Sequence, residues 1–91
     1  MRAQGRIDRL GCLISADPPL ARLQAGAGGL PGGQVAIPQI ASIARLARSL
    51  AAPVSRPIVV ADGPRTIELI VDARPDAEGV GLAISGWDSI A

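Results

Sequence analysis

The chain predicts an α+β fold, a five-stranded antiparallel sheet with helices on one face. Three observations carry this. The stretch from Arg56 to Trp87 reads as three strands joined by tight turns. The stretch from Pro38 to about Ala51 carries one apolar stripe at helical spacing. Ahead of both, two short strands flank Leu10-Gly11 as a first hairpin.

The first hairpin comes from Arg6-Ile7-Asp8-Arg9, the Leu10-Gly11 turn and Cys12-Leu13-Ile14-Ser15-Ala16. Asp17-Pro18-Pro19 then reads as a helix start. An aspartate carboxylate can accept the orphan amides of a first turn, and proline fits there because those amides lack partners anyway. Leu20 and Leu23 share one face of this short helix, which ends by Ala25-Gly26. From Gly26 to Gly33 the chain is too rich in glycine to hold a helix or a strand, and reads as a loop.

Pro38 opens the long helix and Pro53 is the expected stop. Ile40, Ile43, Ala44, Ala47 and Leu50 form its apolar stripe, with Leu46 beside it; Gln39, Ser42, Arg45, Arg48 and Ser49 form its wet side. The strand Arg56–Ala61 follows. Asp62-Gly63 reads as its hairpin turn, since both residues accept positive φ cheaply. From Arg65 to Arg74 the alternation is clean: Ile67, Leu69, Val71 and Ala73 point one way, and Thr66, Glu68, Ile70, Asp72 and Arg74 the other. After a polar turn at 75–79, Val80, Leu82 and Ile84 resume it. A sheet with one apolar face needs a cover, and the long helix supplies it.

Composition narrows the function classes. The 91 residues make a single domain, with a core from about 7 to 88. With no Phe, no Tyr and one Trp, the core is aliphatic. Nine basic and eight acidic residues nearly cancel, which argues against nucleic acid as a partner. Arg2, Arg6 and Arg9 cluster and read as a solvated face. One cysteine forms no internal disulfide, and no apolar run reaches the ~18–20 residues of a membrane span. The N-terminus lacks the apolar stretch of a signal peptide, so the expected location is cytoplasmic. The chain ends soon after its last strand without a stop signal, which reads as a fragment of something longer.

Candidate chemistry is sparse, and the expectation is a non-enzyme without cofactor or metal. The glycine-rich loop lacks the lysine of a phosphate-binding P-loop, and its dinucleotide spacing puts Pro31 where a third glycine belongs. Cys12 has no histidine to activate it. Asp72, Asp76 and Glu78 around one turn read as solvated turn chemistry. Glu68 and Asp72 share a strand face without anything to raise their pKa. Trp87, the one aromatic residue, reads either as a plug at the edge of the core or as a partner contact.

The element order resembles that of PAS domains: two strands, a helical region, then three strands of one antiparallel sheet. Ile7 to Asp17 resembles the usual opening, with its Asp-x-x-Gly turn and polar helix cap. Asp62-Gly63 resembles the hairpin between the third and fourth strands. Gly86-Trp87-Asp88-Ser89-Ile90 sits where many members carry an Asp-Ile-Thr exit motif, with Asp88 at the aspartate. The cysteine motif of flavin-binding light sensors, the haem-ligating histidine and the Tyr, Glu and Cys set of photoactive yellow proteins are all missing, so the family's cofactor chemistry does not carry over.

The resemblance implies a cytoplasmic sensory or dimerisation module of a bacterial signal-transduction protein such as a sensor histidine kinase. A homodimer and a linked kinase or output domain are the implied partners. Ile70, apolar on the wet face, and Trp87 are the candidate contacts. The alternative is a small apolar ligand held between the long helix and the sheet, with Ile40, Ile43 and Ala47 facing Leu69, Val71 and Leu82.

Overall fold

The computed structural model describes residues 1–87; Asp88 and the rest of the exit motif lie outside the described residues. Five strands and two helices follow one another as β1 (Arg2–Asp8), β2 (Leu13–Ala16), α1 (Pro18–Gly26), α2 (Pro38–Leu50), β3 (Val54–Asp62), β4 (Arg65–Asp76) and β5 (Gly79–Ser85). The strands form one antiparallel sheet in the order β2-β1-β5-β4-β3. The first hairpin therefore joins the meander through β1 against β5, where Ala3 pairs with Ile84 and Ile7 with Val80.

Register puts every inward residue on the same side. Ile58 faces Leu69, Val71 faces Ile84, Ala73 faces Leu82, and Val80 faces Ile7 across neighbouring strands. These side chains are buried, as the period of two requires. Both helices cover this side, α2 over β3, β4 and β5 and α1 over β1 and β2. Ile40, Ile43, Ala44 and Ala47 bury the α2 stripe, and Leu20 and Leu23 bury that of α1. Gly5 has no Cβ because one there would stand 2.6 Å from Leu20 Cδ2, which lets α1 lie close on β1.

Several boundaries depart from the sequence expectation. β1 begins at Arg2 and β4 continues through Pro75 and Asp76, because pairing with β5 extends both. The second turn of the meander shrinks accordingly to Ala77-Glu78, between the paired Asp76 and Gly79. A Cβ at Gly79 would lie 2.0 Å from the Ile7 carbonyl oxygen, so only glycine fits against β1. The first meander turn moves by one residue: Asp62 pairs with Arg65, which leaves Gly63-Pro64 as the connection. Gly63 alone takes positive φ there, 62°, and glycine first in a two-residue loop suits the twist of a hairpin.

The helix ends also differ. Asp17 is the N-cap of α1, but its side chain makes no cap bond; its Oδ2 instead accepts the Gln4 amide at 2.8 Å. Proline in the first turn has already removed amides that the carboxylate would have served. Pro53 is not what stops α2. Ala51 does so by turning left-handed, with φ 51° and ψ 39°, and its amide and that of Ala52 satisfy late carbonyls. Leu50 leaves the stripe at this point and is 58% exposed.

Candidate functional site

The side of the sheet away from the helices is open. Its central strand, β5, presents only Gly81, Ala83 and Ser85 there. β1 presents Arg2, Gln4 and Arg6 on one flank, and β4 presents Ile70, Asp72 and Arg74 on the other. Small residues between long ones make a trough, a groove of about 610 Å³. Its walls carry both signs of charge. Arg2 lies 3.6 Å from Asp72. Arg6 Nη2 donates to both oxygens of Asp76, at 2.5 and 2.6 Å.

Asp76 does more than pair. Its Oδ1 also accepts the amides of Glu78 at 2.9 Å and Gly79 at 3.0 Å, closing the β4–β5 turn. The hydrogen bonds from Arg6 and then from the Glu78 amide hold this carboxyl below the usual aspartate range, and the same contact raises Arg6 further. Asp72 and Asp76 are therefore taken by two arginines and the backbone. Among the described residues, no three His, Cys, Asp or Glu side chains converge as metal ligands.

Ile70 sits at the apolar part of this face. It is 49% exposed, and it pairs with Pro57 on β3 and with Ser85 on β5. Val59, two residues on from Pro57 and therefore on the same face, is 52% exposed. Pro57, Val59 and Ile70 form one apolar patch beside the charged trough. The β3 edge next to it is blunted, since Pro57 has no amide and the Gln39 side chain covers the Val59 carbonyl at 3.0 Å.

Trp87 is not part of that patch. Gly86, at φ 98°, turns the chain back toward the helical side. Trp87 then packs half-buried against the core, near Leu23 and Ile67, and its Nε1 donates to the Ile84 carbonyl at 2.7 Å. The two residues proposed as contacts thus lie on opposite faces of the sheet. Pro57 and Val59, which share the patch with Ile70, were missed. The signal for them was an apolar residue on alternate positions of an edge strand.

The six residues of the helix–sheet pocket are packed together. Ile40, Ile43, Ala47, Leu69, Val71 and Leu82 all belong to one core cluster, none more than 7% exposed. The exposed depressions lie elsewhere, and of these six only Leu82 borders the open-face trough. Cys12 is half-buried beside the first turn, where its amide is held by Asp8 Oδ1.

The glycine-rich loop is tied down rather than loose. Gln24, 3% exposed, donates from Nε2 to the Gln34 carbonyl at 2.7 Å and accepts the Ala36 amide at 2.8 Å. Cys12 and Gln34 form an isolated bridge that carries the loop along β2. Among the described residues no buried side-chain polar atom is left without a partner. No helix of these residues is long and apolar enough to cross a membrane.

Compared with family models, curated proteins and solved structures, the chain matches none of them.

Proposed function

We propose that this domain is a non-catalytic sensory or interaction module, PAS-like in kind, that works by docking a second copy of itself on the open sheet face. The observation that carries the reading is the patch of Pro57, Val59 and Ile70 beside a trough lined by both signs of charge. A face with an apolar patch beside both charge signs can meet its own copy across a two-fold axis, where each copy presents the same surface. The aliphatic core of a chain this short also gains from a partner. In the setting implied by the resemblance, a bacterial signal-transduction protein such as a sensor histidine kinase in the cytoplasm, such a dimer would bring linked output domains together. The ligand reading has no comparable support, because the residues it needs are core.

The test is native mass spectrometry at two concentrations, on the parent chain and on Ile70→Glu. The reading expects a dimer that grows with concentration, carries no extra mass and is lost in the variant with the circular dichroism spectrum unchanged. A parent chain that stays monomeric at both concentrations overturns it. Extra mass on the parent would instead support a retained ligand.

A further inference from the structure

A second depression lies on the helical side, between the β1–β2 turn and α2, with a volume of about 300 Å³. One wall is the helix face that carries Ala41, Ala44, Arg45 and Arg48, spaced by three and four residues. The other is the turn with Arg9 and Leu10, and Val35 closes the end. Leu10 is 77% exposed at the lip.

The three arginines of this cleft are held by neutral acceptors. Arg48 Nη1 donates to the Arg9 carbonyl at 2.9 Å, Arg9 Nε donates to the Ala77 carbonyl at 2.9 Å, and Arg45 Nη2 lies 3.3 Å from Ser42 Oγ. None of these contacts neutralises a charge. The one acid lining the cleft is Asp8, whose Oδ1 is taken by the Leu10 and Cys12 amides, both at 2.9 Å. On the open face, by contrast, Arg2 and Arg6 each meet an aspartate.

We infer that this cleft docks an acidic peptide segment with an apolar anchor. The anchor would sit against Val35, Ala41 and Ala44 beneath Leu10, and flanking carboxylates would meet Arg9, Arg45 and Arg48. Charge complementarity sets the sign of the partner, and guanidinium forks suit carboxylates in particular. The volume is enough for one or two side chains of a peptide. The site is separate from the open sheet face and does not depend on the domain forming a dimer.

The test uses fluorescence anisotropy with a labelled peptide of sequence EDELLEDE and a control in which both leucines are serine. The inference expects saturable binding that weakens about tenfold for the control peptide, for Arg45→Glu and for Leu10→Ser. Arg65→Glu, at the end of β4 farthest from this cleft, leaves it unchanged. Far-UV circular dichroism of each variant confirms the fold, and Leu10→Ser, at an exposed position, keeps the test valid if Arg45→Glu disturbs the helix. Equal binding of the two peptides, an equal loss in Arg65→Glu, or no saturation up to about 1 mM peptide, an affinity near 4 kcal/mol, overturns the proposal. Binding to phosphatidylserine vesicles without binding to the peptide overturns it as well.

Discussion

Ala36 donates its backbone N–H to Oε1 of Gln24 at 2.8 Å, and the same side chain donates from Nε2 to the Gln34 carbonyl at 2.7 Å. One glutamine at the end of α1 thereby replaces two backbone partners that the loop before α2 would otherwise lack. Buried amide groups without partners are costly, about 1–3 kcal/mol each. Gln24→Ala is expected to destabilise the fold by about 2–3 kcal/mol and to speed hydrogen exchange at the Ala36 amide. Urea unfolding together with exchange mass spectrometry checks both. An unchanged midpoint would mean that water serves the loop as well as Gln24 does.

Ala51 ends α2 with left-handed dihedrals that a Cβ disfavours. Ala51→Gly is expected to raise stability by about 0.5–1 kcal/mol, the relief of that strain less the extra freedom glycine gains when unfolded. Thermal unfolding of the two chains side by side measures the difference.

Gly79 lies where a Cβ would stand 2.0 Å from the Ile7 oxygen. The contact is backbone, at the end of the β1–β5 ladder where Asp8 pairs with Gly79, and cannot swing aside. Gly79→Ala is expected to cost about 3 kcal/mol or more, as other changes that force strained backbone do. Gly28→Ala, with open space around it but φ of 90°, is expected to cost only about 1 kcal/mol. The ratio of the two losses, read from urea midpoints, separates backbone collision from conformational strain.

Asp76 is held below the ordinary aspartate range by Arg6 and by the Glu78 amide. The folded form thus binds a proton less readily than the unfolded chain. The stability this contributes is present above the unfolded value of about 3.9 and is lost as pH falls through the lower folded value. Asp76→Asn is therefore expected to flatten the acid limb of the stability curve below about pH 4, with a smaller fall than the parent shows. Unfolding midpoints across that range decide it. Parallel curves for parent and variant would show that solvent screens the pair.

Trp87 reports on the core because its Nε1 is held by the Ile84 carbonyl and its ring packs near Leu23 and Ile67. Its emission is expected to stay unchanged when the open sheet face is covered, and to shift red in Ile67→Ala, where the ring loses a neighbour. A red or blue shift on self-association at high concentration would place the contact on the helical side instead.

Much of this arrangement was legible in the chain. The period of two in β4 and β5 and the period of 3.6 in α2 each mark the residues to be buried. From these alone follow a sheet with one apolar face and a helix to cover it. The turns were legible to within two residues, because glycine and proline limit the backbone locally. What the chain could not show is how the first hairpin meets the meander. β1 joins β5 across most of the sequence, and that contact decides the length of β4, the need for Gly79 and the trough over Gly81 and Ala83. The loop contacts of Gln24, the separation of Ile70 from Trp87 and the meeting of Arg9 with Arg48 arise in the same way. Local periodicity depends on neighbours along the chain. A surface depends on neighbours across space, which only the packed structure brings together.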